Sequence, residues 1–269
     1  MTYKAIALDM DGTLLSTKNE LETKTKDTLI RAQEAGLKII LASGRPTFGI
    51  MEAAKSLRLK EFGGCIVSYN GGKVIDLSTN ELIHERGLTP KECHEIYDLS
   101  RRHKVGLMAY DGNNVITEDY DEHIETESRL NKIQINQIQD FKKAVVKNSP
   151  KCITTGNPEH LVKVEKEFIA KISDRFNIFR SMPYFLEITP KNVNKATSLE
   201  KALEFLNLNA DELIACGDSY NDIEMIKFAG LGVAVDNAID EIKEIADYIT
   251  ATNDENGVAK VVEKFILNS

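Results

Sequence analysis

Three short segments gather side chains that can do chemistry together. Asp9-Met10-Asp11-Gly12-Thr13 follows directly on an apolar run, Ser43-Gly44-Arg45 follows on a second, and Gly217-Asp218-Ser219-Tyr220-Asn221-Asp222 ends a third. If these runs are neighbouring strands, four carboxylates (Asp9, Asp11, Asp218 and Asp222) converge on one rim. Like charges crowded in a cleft push carboxyl pKa values up. A hard divalent cation resolves the conflict, and an oxygen-only site completed by water and a phosphate suits Mg2+.

A carboxylate in such a place can attack phosphorus, which makes Asp9 a candidate nucleophile that splits one hard displacement into two. Asp11, two residues on, points to the same side of an extended chain. From there it can serve a leaving oxygen as general acid and then a water as base. The plainer alternative makes Asp11-Gly12 a turn and Asp9 a cap. Asp218, on the strand end, suits a metal better than Asp222, because Ser219 and Asp222 also form a capping box opening the next helix. Asn221 suits orienting a substrate or a carboxylate. Lys195 falls in the first turn of a helix, beside the positive end of the dipole, where a cation is unfavourable. It is either a surface lysine or one drawn in by phosphate and Asp9. The Ser43 hydroxyl, with backbone N–H groups leading into a helix, can hold phosphate oxygens, or Ser43 is an ordinary turn residue. Arg45 is open among phosphate, a carboxylate of the central segment, and solvent.

These residues need a scaffold, and the chain supplies an α/β one. Short apolar runs alternate with amphipathic helical patterns, which predicts a parallel sheet. Residues 4–8, 37–43 and 65–69 read as buried strands, with helices over 23–35, stopped by Gly36, and after Pro46, where Ile50, Ala54 and Leu57 share a face. Asn70-Gly71-Gly72 marks a turn. The same grammar returns as a helix over 195–206, a strand over 213–217, a helix over 221–229, a strand over 231–235 and helices over 238–246 and 257–267. Between the halves the grammar changes. Residues 106–118 read as a hairpin around Asp-Gly-Asn-Asn, and 176–190 as a second antiparallel pair. Helices near 89–103 and 158–172 open on Thr89-Pro90 and Asn157-Pro158. The expected architecture is a Rossmann-like, doubly wound α/β core from residues 1–84 and 191–269, with an α+β domain over 85–190 inserted.

The chain has 269 residues, with 34 Lys plus Arg against 42 Asp plus Glu, a net charge of −8. That balance disfavours nucleic acid and anionic membrane surfaces as partners. The four cysteines (Cys65, Cys93, Cys152 and Cys216) show no paired spacing, so buried reduced thiols are expected. The N-terminal apolar run is too short for a signal peptide and no segment reaches a membrane span, which predicts a cytoplasmic protein.

The segments Asp9-Met10-Asp11-Gly12-Thr13-Leu14, Ser43-Gly44-Arg45, Lys195 and Gly217-Asp218-Ser219-Tyr220-Asn221-Asp222, in this order, resemble the haloacid dehalogenase-like phosphohydrolase superfamily. The long insert and Asn70-Gly71-Gly72 are similar to the Cof-type sugar-phosphatase subfamily. One departure is Ala196 after the lysine, where relatives often carry Gly. The resemblance implies a Mg2+-dependent phosphatase acting on small phosphorylated metabolites, sugar phosphates among them, with the insert as cap. It implies Asp9 as nucleophile and metal ligand, and Asp11 as acid/base and ligand through its backbone carbonyl. Asp218 is then the third ligand and Asp222 its support. Ser43, Gly44 and Lys195 would hold the phosphoryl group and Asn221 would contact phosphate or substrate.

Rival readings remain. A phosphomutase would return the phosphoryl group to a sugar. A phospho-acceptor signalling module shares Mg2+, Asp and Lys, but needs neither Asp11 nor a large insert. A protein that only binds phosphorylated ligands would show no turnover.

Overall fold

A computed structural model describes residues 3–112 and 114–268, the side chain of Leu130 aside. Asn113 of the predicted hairpin turn, and Met1 and Thr2 of the N-terminal reading, lie outside the described residues. The chain divides into two compact units, Met1–Glu85 with Asn194–Ser269, and the inserted Arg86–Val193.

The strands in chain order begin with β1 (Ala5–Leu8), β2 (Lys38–Ala42), β3 (Cys65–Ser68), β4 (Lys73–Asp76) and β5 (Leu82–Glu85). The inserted unit holds β6 (Gly106–Asp111), β7 (Asn114–Thr117), β8 (Gln134–Gln137), β9 (Cys152–Thr155), β10 (Phe176–Met182) and β11 (Phe185–Pro190). The last are β12 (Leu213–Gly217), β13 (Leu231–Ala234) and β14 (Tyr248–Ile249).

In the first unit the sheet order is β14-β13-β12-β1-β2-β3-β4-β5. Neighbours from β14 to β3 are parallel, and β4 and β5 extend the sheet antiparallel. The chain starts mid-sheet, winds outward through β2 and β3, and returns on the other side of β1 as β12. The order therefore reverses at β1, and ligands of doubly wound sheets bind at the carboxyl ends beside such a reversal.

Alternate strand residues feed two cores, which explains why these strands read as unbroken apolar runs. Ile6, Leu8, Ile39, Leu41 and Ile214 pack against Leu29, Ile50 and Val261 from the helices Thr23–Glu34, Thr47–Ser56 and Gly257–Val262. Ala5, Ala7, Ile40, Ala42 and Ala215 pack against Leu199, Ala202, Leu203 and Met225 from Lys195–Leu206 and Ile223–Phe228. Ala5 and Ala7 of β1 share this core with residues of the Lys195 helix. Asp9 continues their alternation onto that same face.

The inserted unit is an α+β module whose sheet runs β10-β11-β9-β6-β7-β8, antiparallel except for the parallel pair β7–β8. The helices Pro90–Arg102 and Pro158–Ile172 cover one face, burying Cys93, Ile96, Leu161 and Phe168 against Leu107, Ala109, Cys152 and Ile188. Each starts on a cap: Thr89 and Glu92 form a capping box, and Asn157 Oδ1 accepts from the N–H groups of Glu159 and His160. Strands β4, β5, β8, β9 and β14 and the helices Leu59–Phe62, Glu122–Asn131 and Phe141–Ala144 gave no sequence signal strong enough to place. The predicted helix at 221–229 is a 3-10 turn, Tyr220–Asp222, followed by Ile223–Phe228. All four cysteines are buried and free. Among the described residues no helix is long and apolar enough to cross a membrane.

Candidate active site

Strand register sets the site. Leu8 pairs with Cys216 of β12 and with Leu41 of β2, so Asp9 stands level with Gly217 and Ala42, one residue before Asp218 and Ser43. The Asp9 N–H donates to the Cys216 carbonyl at 3.0 Å. The chain then turns: the N–H groups of Leu14 and Leu15 return to the Met10 carbonyl at 3.1 and 2.9 Å, and Met10 plugs into the core. Gly12 has φ +81, and a Cβ there would lie 2.6 Å from Asp218 Oδ2. Only glycine allows both the backbone angle and that approach.

Lys195 is the first residue of its helix and is fully buried. Its Nζ donates to Asp9 Oδ1 and, at 2.6 Å, to Asp222 Oδ1. Desolvation of a lysine this deep pulls its pKa down, but the charges of Asp222 and Asp9 outweigh it and the net shift is upward. The same burial, with the Asp222 charge, holds Asp9 well above the ordinary carboxyl range despite Lys195. Asp218 is raised too, by burial first, while the hydroxyl of Thr13 donates to its Oδ1 at 2.8 Å and opposes the shift. One ammonium thus faces three carboxylates. Such a set is short of positive charge.

Asp11 does not join this cluster. The chain turns at Met10, and the partner of the Asp11 carboxylate is Arg45. The Asp11 carboxylate is 58% exposed and is gripped through both oxygens by Nε and Nη2 of Arg45. That same guanidinium donates to Asn19 Oδ1 and to the Gly49 carbonyl. Arg45, left open on sequence grounds, therefore has Asp11 as its partner.

Ser43 is buried, and its Oγ accepts from the Arg45 N–H at 3.1 Å, leaving the hydroxyl proton to donate. Gly44 lies against the Asn70 side chain, and Asn221 Nδ2 donates to Asn70 Oδ1 at 3.0 Å. Asn237, after β13, donates to the Gly12 carbonyl at 2.7 Å and accepts from the Asn253 N–H at 2.9 Å. Sequence reasoning gave Thr13 and Asn237 no role of their own and read Asn70 only as part of a turn. They share a signal in position: each follows a strand of the parallel sheet at its carboxyl end.

The donors fit a hard cation. One carboxylate oxygen from each of Asp9, Asp218 and Asp222 lies within 4.8 Å of the others. Asp222 commits Oδ1 to Lys195 and Oδ2 to the N–H groups of Asp218 and Ser219 at 3.0 and 3.1 Å. Asp9 and Asp218 each engage Oδ1, with Lys195 and Thr13, so these two carboxylates are better placed to offer the second oxygen to a metal. Oxygen-only donors with shared negative charge suit Mg2+.

Known proteins resemble the chain over nearly its whole length. A family model described as haloacid dehalogenase-like hydrolase matches residues 6–262. A 5-amino-6-(5-phospho-D-ribitylamino)uracil phosphatase of Bacillus subtilis, YcsE, is 32% identical over 264 residues, covering 98% of this chain and 96% of its own. The crystal structure of a haloacid dehalogenase-like hydrolase from Bacteroides thetaiotaomicron is 44% identical, with TM-score 0.91 over 97% of this chain and 99% of that one. A sugar phosphatase of HAD subclass IIB, BT4131, is 25% identical with TM-score 0.81, over 97% of this chain and 98% of that one.

Proposed function

The chain belongs to the haloacid dehalogenase-like hydrolase family, and on that premise we propose that it is a Mg2+-dependent phosphatase of small phosphate monoesters, sugar phosphates first among them. The observation that carries the reading is the buried Lys195 ammonium bridging Asp9 and Asp222, with Asp218 in ligand reach. The similarity to a phosphatase of a ribityl compound and to a sugar phosphatase supports a polyhydroxylated alcohol as the leaving group.

In this reading Asp9 attacks phosphorus, a carboxylate–phosphorus bond forms and the bond from phosphorus to the alcohol oxygen breaks. Asp11 gives that oxygen its proton, exchanging Arg45 for the substrate to do so. It then takes a proton from the water that cleaves the aspartyl-phosphate, releasing inorganic phosphate and restoring both residues. Lys195, Ser43, the Gly44 backbone and Asn221 hold the phosphoryl oxygens. Asp9, Asp218 and the Asp11 carbonyl would hold Mg2+, with Asp222 fixing Lys195 and the Asp218 loop behind them. Bound there, Mg2+ supplies charge neutralisation and orientation to a reaction that depends chiefly on both. The inserted unit takes the role of a cap that selects the alcohol.

Turnover of p-nitrophenyl phosphate with Mg2+, followed by a panel of phosphorylated metabolites, tests this. Multiple turnovers, abolished in Asp9→Asn, are expected. Isomer exchange without free phosphate would replace the proposal by a mutase, and a single stable stoichiometric phosphorylation by a signalling module.

A further inference from the structure

The turn after β3 is strained and touches each segment assigned above to phosphate. Tyr69, Asn70 and Gly71 have φ of 55°, 55° and 105°, three left-handed residues in a row. L-residues avoid that region, and such strain persists where the surroundings over-determine it, often at functional sites. Here the surroundings are specific. The Tyr69 N–H donates to the Arg45 carbonyl and the Asn70 N–H to the Ser43 carbonyl, both at 3.0 Å. A Cβ on Gly44 would come within 3.1 Å of Asn70 Nδ2 and Oδ1, so the amide lies directly on that backbone. The Gly71 carbonyl accepts from Ser198 Oγ at 2.6 Å, and a Cβ on Gly71 would sit 2.2 Å from the carbonyl oxygen of Asn194, the residue before Lys195. Asn221, 151 residues after Asn70, donates to its Oδ1.

We propose that Asn70 is a positioning residue for the phosphate side of the site: its amide holds the Asn221 side chain at a fixed offset from Ser43 and Gly44. The proposal rests on the phosphatase reading for the identity of the anion. A left-handed backbone explains a turn-forming residue at position 70, which glycine would serve as well. The Asn221–Asn70 hydrogen bond is what glycine cannot supply. Among the described residues no hydrogen bond joins the Asn70 side chain to the carboxylate cluster or to Lys195, so its influence runs through Asn221 and the Gly44 peptide.

Inorganic phosphate in the presence of Mg2+ is the probe, titrated by calorimetry into the full-length protein, with urea denaturation alongside. Asn70→Gly preserves access to the left-handed region, so its urea midpoint is expected to stay at the wild-type value. Its phosphate affinity is expected to fall about tenfold, the scale of one hydrogen bond to a charged group. Asn221→Ala is expected to lose a similar factor. The double variant should fall no more than about twofold below either single one, because residues acting as one unit are not additive. Losses that multiply in the double variant overturn the proposal. So does an Asn70→Gly protein that binds phosphate like the wild type, whatever its midpoint. A wild-type protein that binds phosphate but hydrolyses no ester removes the phosphatase reading and leaves this inference standing, whereas one that binds no phosphate overturns it.

Discussion

Lys195 Nζ and Asp222 Oδ1 meet 2.6 Å apart with neither side chain exposed at all. The two residues are 27 positions apart, and the second oxygen of Asp222 holds the backbone of Asp218 and Ser219. Asp222 therefore fixes the ammonium and the Asp218 loop at once. Taking ions out of water costs several kcal/mol each, and that cost is offset only while every partner stays in place.

Removing the ammonium should accordingly be expensive. In Lys195→Met, Asp9 and Asp222 remain buried without their counter-charge, and stability at neutral pH is expected to drop by about 3–5 kcal/mol. Equilibrium urea unfolding of metal-free protein measures this, and turnover should vanish with it. An unchanged unfolding midpoint would mean that the buried ions do not act as one energetic unit.

The raised carboxyls fix the sign of a pH effect. Burial and the Asp222 charge lift Asp9, and burial lifts Asp218, above the ordinary 3.8. The native state then keeps protons that the unfolded chain has released. This contribution to stability is fully present below 3.8 and is lost as pH rises through the folded-state values. With a chelator present, wild type should lose stability relative to Asp9→Asn as pH climbs from about 4 to 8. Mg2+ at about one hundred times its Kd should return about 2.7 kcal/mol to the wild type, and little to Asp218→Asn. Chelation should also stop turnover. Unfolding free energies over that pH series, with and without metal, decide the matter. Wild type gaining on Asp9→Asn with rising pH would contradict it.

Asp11 should behave in the opposite way, with a large effect on rate and a small one on stability. Its carboxylate is exposed and Arg45 keeps Asn19 and Gly49 as partners without it, and pairs at the surface contribute at most about 1 kcal/mol. A general acid and base contributes about 10²–10⁴-fold to rate. Asp11→Asn is expected to unfold within about 1 kcal/mol of wild type while turnover falls by that factor. Parallel denaturation and steady-state kinetics check both halves. A stable variant at full speed would remove Asp11 from the chemistry.

What the sequence made legible follows from distance along the chain. A strand running into Asp9, and another into Gly217-Asp218, are local patterns, and a doubly wound sheet must bring their carboxyl ends to one rim. Lys195 was readable because a cation at a helix start demands an explanation. The Asp222–Lys195 bond, the grip of Arg45 on Asp11 and the Asn70–Asn221 pair leave no local trace, since each is a side-chain meeting fixed by tertiary packing. The same holds for β9, whose Cys-Ile-Thr-Thr becomes a central strand only because β6 and β11 flank it. The Arg45 partner of Asp11 is hidden for a further reason: the period-two rule assumes an extended chain, and the chain turns at Met10.

Gly12 offers a way to separate backbone strain from crowding of the proposed metal site. Gly36 also has a positive φ, +102, but a Cβ there would meet nothing within 4 Å. Gly36→Ala therefore carries only the conformational penalty, of the order of 1 kcal/mol. Gly12→Ala carries that penalty and also drives a methyl to 2.6 Å from Asp218 Oδ2, which must then shift. Asp218 is tethered by Thr13, so the displacement falls on the oxygen proposed for the metal. Both variants are expected to lose stability, but Gly12→Ala alone should need a higher Mg2+ concentration for half-maximal turnover. Titrating Mg2+ at saturating p-nitrophenyl phosphate, with urea unfolding of the same preparations, makes the comparison. Equal Mg2+ midpoints in Gly12→Ala, Gly36→Ala and wild type would place the metal away from Asp218 Oδ2.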